Sequence, residues 1–340
     1  MELNEVKQKH VQYKDQLKGL MTLEGSPKIK GYNFEEPFDI NSFLDSFAST
    51  GFQATHLAEG IEIVKIMQRE KAKIFLTFTG NLVSSGVREI IKYLVKHKKI
   101  DVLVTNAGGI EEDIIKCLKP FALGRFDAPG ALLFEHGVNR IGNIYVPNDR
   151  YAYFDKWMQE FLAEVYDKQI RDHKIFCPNE LAKELGLKIA TTNRNNCEDS
   201  ILYWATKNNI PIFCPGIIDG SVGDMVYFFK QSHPDFLIDI TKEIKDIVNL
   251  VLNPEFEKTG LIALGSGISK HFALNANIFK EGFDYAVYIN TAQEFDGSDS
   301  GAKVEEAITW GKVKAKAPNV KINCDATIAF PLLVKGAFVD

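Results

Sequence analysis

Short apolar runs rich in β-branched residues alternate along the chain with longer stretches whose apolar positions recur at helical spacing. The runs 73–79 (KIFLTFT), 102–105 (VLVT), 212–214 (IFC), 261–264 (LIAL), 285–289 (YAVYI) and 320–324 (VKINC) predict strands. Between them, 87–98, 199–208 and 243–252 carry a helical period. Strand, helix and strand at this spacing predict an α/β fold, a doubly wound and mostly parallel sheet with helices on both faces. The first residues are polar, with a weak helical pattern through Val11, Leu17, Leu20 and Leu23 that stops at Gly25-Ser26-Pro27. Residues 1–30 therefore read as an N-terminal arm, and 31–340 as one large domain.

The segments that follow the strands are small or polar: Thr79-Gly80-Asn81, Asn106-Ala107-Gly108-Gly109, Pro215-Gly216 with Asp219-Gly220, Gly265-Ser266-Gly267, Asn290-Thr291-Ala292 and Asp325-Ala326-Thr327. In a doubly wound sheet these segments converge beyond the carboxyl ends of the strands, where ligands bind. A nucleotide site is the natural expectation. No G-x-G-x-x-G opens the first strand-to-helix turn, however, and tight βα turns need small residues in any α/β protein. The pattern permits a cofactor without naming it.

Composition removes several alternatives. Of 340 residues, 45% are apolar and 25% charged, which is ordinary for a globular chain and disfavours disorder and coiled coil. A net charge of −5 argues against broad contact with nucleic-acid backbone. The five cysteines, Cys117, Cys177, Cys197, Cys214 and Cys324, are odd in number and unpaired in spacing, and read as reduced thiols. Residues 1–20 lack the apolar core of a signal peptide, and no stretch reaches the ~20 apolar residues of a membrane span. The expected location is cytoplasmic. None of the seven histidines has ligand spacing to another or to a cysteine, so no metal is expected.

One segment differs in composition from the rest: Glu294-Phe295-Asp296-Gly297-Ser298-Asp299-Ser300-Gly301, then Glu305-Glu306-Ala307-Ile308-Thr309-Trp310-Gly311-Lys312. Carboxylates beside an aromatic face suit an organic polycation, because charge pairing holds the ammonium ends while indole covers the methylenes. The plainer reading is an exposed acidic turn with Trp310 as a core anchor and Lys312 as a solvated charge. A calcium loop is disfavoured because its twelfth position is Ala307, not Glu. Upstream, His271 and Asn275 are spaced i,i+4 on a helix expected after Gly267 and would share a face. His271 is a candidate general base, or simply a satisfied histidine.

The run 290–312, NTAQEFDGSDSGAKVEEAITWGK, closely resembles the deoxyhypusine synthase family. The resemblance extends through Gly31–Phe34, Thr50–Thr55, Asn81–Ser85, Ala107–Asp113, Asn139–Asn143, Asp219–Asp224 and Asp325-Ala326. It implies a Rossmann-like NAD-binding fold and NAD-dependent transfer of the 4-aminobutyl group of spermidine to one lysine of the translation initiation factor 5A precursor. Lys312, in the family's Trp-Gly-Lys motif, would be the nucleophile that carries the group as an imine, and water must be excluded because imines hydrolyse. His271 would accept a proton from the spermidine amine. Asn275 would orient the substrate, Asp224, Asp299 and Glu306 would pair with ammonium groups, Gly297 and Ser298 would line the site, and Trp310 would lie along the carbon chain. Glu111 and Glu112 would face an amine or a ribose hydroxyl. NAD would contact Asn81, Leu82, Val83, Ser84, Asn106, Ala107, Gly108, Glu112, Asp219, Ser266, Thr291, Ala292, Asp325 and Ala326.

The resemblance further implies a homotetramer with active sites across a dimer interface. A nucleophilic amine must be neutral whereas nearby carboxylates favour the ammonium, so Lys312 is expected to become competent chiefly once cofactor and polyamine are bound. Two other readings use the same residues: a homospermidine synthase-like enzyme that takes putrescine as acceptor, and a catalytically silent polyamine- or NAD-binding subunit.

Overall fold

The computed structural model describes residues 27–192 and 196–339. In chain order the elements are α1 (Ile40–Thr50), α2 (Phe52–Arg69), β1 (Lys73–Thr77), α3 (Gly80–Ser84), α4 (Val87–Lys96), β2 (Val102–Val104), α5 (Ala107–Leu118), β3 (Ala122–Leu123), α6 (Gly130–Glu135), β4 (Val138–Ile141), β5 (Ile144–Pro147) and α7 (Asp149–Asp172). There follow α8 (Pro178–Thr192), α9 (Ile201–Asn208), β6 (Ile212–Phe213), α10 (Ser221–Lys230), α11 (Ile240–Val251), β7 (Thr259–Leu264), α12 (Ile268–Ile278), β8 (Tyr285–Asn290), α13 (Val304–Thr309), β9 (Asn319–Asn323) and α14 (Ala326–Phe338). The described residues form two compact units, divided between Thr55 and His56. Most of the arm read from the sequence, residues 1–26, lies outside the described residues. In the first unit Asp39 caps α1 by accepting the Ser42 N–H at 2.7 Å, and Tyr32 packs edge-on against Phe38 and Phe43.

The second unit is built on a six-stranded sheet in the order β6-β2-β1-β7-β8-β9, every pairing parallel. The chain starts at the centre, winds outward through β2 to β6, then returns to lay β7 beside β1 and winds out the other way. The strand order therefore reverses between β1 and β7, which opens a crevice beyond their carboxyl ends. The register sets Thr77 of β1 against Val104 of β2 on one side and Ala263 of β7 on the other.

Strands β2, β7 and β8 are buried along their whole length because both sheet faces are covered. On one face Phe75, Val104, Leu261, Ala286 and Tyr288 cluster with Ile247 and Val251 of α11 and Ala273 and Leu274 of α12. On the other, Gly60 of α2 approaches Val287 and Ile322 so closely that an added methyl would meet both. All six sequence-predicted strands are present, with ends displaced by one or two residues. The stretch 199–208 divides: Cys197–Asp199 forms a 3-10 turn, and Ser200 caps α9 by accepting the Tyr203 N–H at 3.0 Å.

The sequence does not announce a second sheet, three antiparallel strands in the order β3-β5-β4. These are two to four residues long and half exposed. Cys117, Cys177, Cys197 and Cys214 are buried thiols and Cys324 is half-buried. Among the described residues no helix is long and apolar enough to cross a membrane.

Candidate active site

Helix α13 ends in a way that delivers a lysine. Trp310 is its last half-helical residue, Gly311 follows at φ +69°, and the Lys312 N–H returns to the Ala307 carbonyl at 3.0 Å while the Gly311 N–H reaches Ile308 at 3.0 Å. This paired closure is a Schellman turn, and its left-handed position strongly favours glycine. The Trp-Gly-Lys motif is thus a helix stop that reverses the chain. The Phe283 N–H then binds the Lys312 carbonyl at 3.0 Å, pinning the residue beside the chain that leads into β8. Lys312 is 8% exposed and lines a cavity of about 440 Å³.

The same cavity receives His271 and Asn275 from α12, Gly297 and Asp299 from the loop after β8, and Glu306 and Trp310 from α13 and its end. The expected shared face of His271 and Asn275 is therefore present. Ser298 lies within the loop, its N–H held by Asp296 at 2.8 Å, but does not line the cavity. Against the plainer sequence reading, the burial is inverted: Trp310 is 67% exposed and Lys312 is enclosed, its Nζ 5.7 Å from the indole centroid. Among the described residues the Lys312 ammonium makes no hydrogen bond or ion pair, an arrangement that leaves it available for chemistry.

Asp299 organises the cavity. One carboxylate oxygen lies 3.2 Å from His271 Nδ1, the other 3.3 Å from Lys270 Nζ, and Lys270 also donates to the Asp299 carbonyl at 2.5 Å. With Nδ1–H given to Asp299, the imidazole keeps Nε2 as its basic nitrogen. Burial pushes the Lys270 amine down from its usual range. The loop is held to β9 by Lys321, whose Nζ donates to the carbonyls of Ala292 at 2.8 Å and Gly301 at 2.5 Å. Gly301 passes so near Gln293 that a Cβ would stand 1.5 Å from its carbonyl oxygen, so only glycine fits.

Other sequence candidates gather elsewhere. Glu111 and Glu112 rise from α5 after β2, and none of Glu111, Glu112 and Asp224 lines the Lys312 cavity. Strands β1 and β7 stand between β2 and β8, three inter-strand steps of ~4.8 Å each. Glu111 accepts the Val222 N–H at 2.9 Å at the start of α10, and Glu112 takes the Ser84 hydroxyl. Burial pushes both carboxyls up to about 7, and Asp224 and Asp219 add repulsion at Glu111.

At the crevice between β1 and β7 a smaller cleft of about 170 Å³ is lined by Asn81, Leu82, Thr291, Asp325 and Ala326, together with Thr79, Gly265 and Cys324. The donor set suits part of a dinucleotide. Asp325 spends one oxygen capping α14, accepting the Thr327 N–H at 2.7 Å, and its other oxygen has no partner among the described residues, as a ribose hydroxyl requires. The remaining cofactor candidates do not line this cleft. Val83 and Ala107 are buried in the core, and Asn106 accepts the Gly80 N–H at 2.9 Å. Gly108 and Gly80 meet backbone to backbone, so that glycine pair serves helix packing. Ser266 lies in the β7–α12 turn, Ala292 donates to Asn290 at 3.1 Å, and Asp219 is exposed after β6.

A family profile described as deoxyhypusine synthase matches residues 42–337. The chain belongs to the deoxyhypusine synthase family. Deoxyhypusine synthase from Musa acuminata is 46% identical over 92% of this chain and 88% of its own length. The enzyme of the same name from Senecio vernalis is 47% identical over 93% and 91%. Homospermidine synthase 2 of Senecio vernalis is also similar, at 46% over 93% and 91%. The crystal structure of a protein from Entamoeba histolytica assigned as a deoxyhypusine synthase superposes with a TM-score of 0.64 at 27% identity, covering 91% of this chain and 96% of that one.

In this deoxyhypusine synthase family member, the cavity residues that a motif-based reading misses include two buried ones with polar heads, Lys270 and Tyr288. Lys270 is 1% exposed on the core face of α12, four residues before buried Leu274, a spacing that could have marked it. Tyr288 alternates inward along β8 and reads in sequence as an ordinary strand aromatic; its hydroxyl is buried and has no hydrogen-bond partner among the described residues.

Proposed function

We propose that this chain is a deoxyhypusine synthase, transferring the 4-aminobutyl group of spermidine to a lysine of the translation initiation factor 5A precursor in the cytoplasm. As a member of this family it is a transferase. The observation that carries the reading is a lysine, Lys312, enclosed with no anionic partner among the described residues in a cavity that also holds carboxylates, an imidazole and an indole. Glu306 and Asp299 attract the polyamine's ammonium groups, and Trp310 covers its methylenes. His271, oriented through Nδ1 by Asp299, takes a proton from the secondary amine at Nε2. Lys312 then attacks the imine carbon, diaminopropane leaves, and the butyl group stays on Lys312 until the acceptor lysine displaces it. Enclosure of Lys312 keeps water from the imine.

NAD, when bound, supplies the acceptor and later the donor of hydride. Asn81, Thr291 and Asp325 would hold it in the crevice, with Glu112 on the β2 side. The separation of Glu111, Glu112 and Asp224 from the Lys312 cavity supports an assembly in which a second copy supplies those carboxylates to the site, as in a homotetramer with shared active sites. Likeness to homospermidine synthases at the same level of identity favours a second reading, with putrescine as acceptor.

Incubation with NAD, labelled spermidine, and both the factor precursor and putrescine decides between the two. Label on the protein lysine is expected, and label only in homospermidine would reverse the assignment. Repeated failure of borohydride to trap a butyl adduct on Lys312 would instead leave a silent binding subunit.

A further inference from the structure

Tyr288 is among the largest wholly buried side chains of the molecule, 1% exposed, yet it lines the cavity that holds Lys312. Its hydroxyl has no hydrogen-bond partner among the described residues. The ring is fixed on both sides. It clusters with Ala273 and Leu274 on the core face of the sheet, and the Lys270 ammonium lies 5.0 Å from its centroid. Lys270 cannot drift, because Asp299 holds it by carbonyl and carboxylate. A phenol needed for packing alone would be served by phenylalanine, since an unmatched buried hydroxyl costs stability. A tyrosine that lines a cavity while its enclosed hydroxyl stays unpaired is instead suited to a polar atom that the cavity admits.

We propose that the Tyr288 hydroxyl is a catalytic proton-transfer group for imine exchange at Lys312, an inference that rests on the aminobutyl-transfer reading of this cavity. When Lys312 Nζ adds to the iminium carbon of oxidised spermidine, a C–N bond forms and the positive charge moves to the lysine nitrogen. The nitrogen of the departing diaminopropane has to gain a proton, and Lys312 has to lose one, before the second C–N bond breaks. Tyr288 gives its proton to the departing nitrogen and receives one from Lys312, so the phenol ends as it began, and the exchange of one C–N bond for another changes no oxidation state. The consequence is that Tyr288 acts after hydride loss and before release of the first product. Burial and the nearby Asp299 push the phenol up from its ordinary range, which keeps it protonated between turnovers.

The test uses the full chain with NAD and spermidine, reading nicotinamide absorbance for the oxidation and borohydride trapping for the Lys312 adduct. In Tyr288→Phe the oxidation should stay near the parent rate, adduct formation should slow about 10²-fold or more, and the melting temperature should hold or rise. Adduct formation at the parent rate would overturn the proposal and leave Tyr288 a packing residue. If the Phe variant does not fold, 3-fluorotyrosine at position 288 decides: it keeps shape and hydroxyl but is more acidic, so an unchanged adduct rate refutes the role. A parent enzyme that neither oxidises spermidine nor forms the adduct would sink the reading of the whole site, whereas an active parent with an unaffected variant sinks only this inference.

Discussion

At the scale of single residues, the cavity depends on one amine and the turn that presents it. Lys312→Arg keeps charge and bulk but replaces an amine that can become neutral with a guanidinium that stays protonated. Adduct formation should fall by at least about 10³-fold, measured by borohydride trapping, while NAD binding measured by calorimetry stays near the parent value. Gly311→Ala tests the turn. An L-residue at φ +69° costs roughly 1–2 kcal/mol, so urea denaturation should show a loss of that size, with adduct yield falling further because Lys312 is re-aimed. Lys312 and His271 could be picked out by chemistry and motif. Lys270 and Tyr288 could not, because a lysine and a tyrosine inside amphipathic elements resemble core or surface positions until the cavity is seen.

Elements were legible where burial is two-sided. Strands such as Thr259–Leu264 and Tyr285–Asn290 are buried throughout because helices cover both faces, and their near-continuous apolar runs, 261–264 and 285–289, show in the sequence. The β3-β5-β4 sheet was not legible: strands of two to four residues with no clean alternation give too few positions to set a period. The acidic loop between β8 and α13 stood out by composition, but its shape depends on two contacts that composition does not show, Lys321 on the Ala292 and Gly301 carbonyls and Gly301 against Gln293. Gly301→Ala places a Cβ 1.5 Å from the Gln293 oxygen, so the loop must shift and carry Asp299 with it. The expected outcome is a fall of about 10²-fold in kcat/KM for spermidine with NAD affinity little changed, from steady-state kinetics and calorimetry. Equal losses for both ligands would mean that the loop also shapes the cofactor crevice.

For the molecule as a whole, the distribution of buried acids sets a pH dependence. Glu111 and Glu112 sit where burial raises their carboxyls from about 4.5 to about 7, and Glu243, which accepts the Cys214 N–H at 2.6 Å, is raised likewise. A raised carboxyl means that the folded chain binds protons more tightly than the unfolded one between those values. Stability from these groups is therefore fully present below pH 4.5 and is lost as pH climbs from there through 7. Each group contributes at most about 3 kcal/mol, at 1.36 kcal/mol per pKa unit, and less at Glu112, which water partly reaches. The opposite set, including Asp246 and Glu180, is lowered by hydrogen bonds, and destabilises only when pH falls below the usual carboxylate range. Between these limits the raised carboxyls dominate, so urea midpoints of the cofactor-free protein should be higher at pH 5.5 than at pH 8. Glu112→Gln removes the weakest of the three titrations and should flatten the profile by less than about a third. A partner copy that brings cationic substrate or lysines to Glu111 and Glu112 would favour their ionised forms, and spermidine should then shrink the difference between pH 5.5 and 8 in the parent but less in the variant. A midpoint that rises from pH 5.5 to 8 would show that these carboxyls are already ionised in the folded chain.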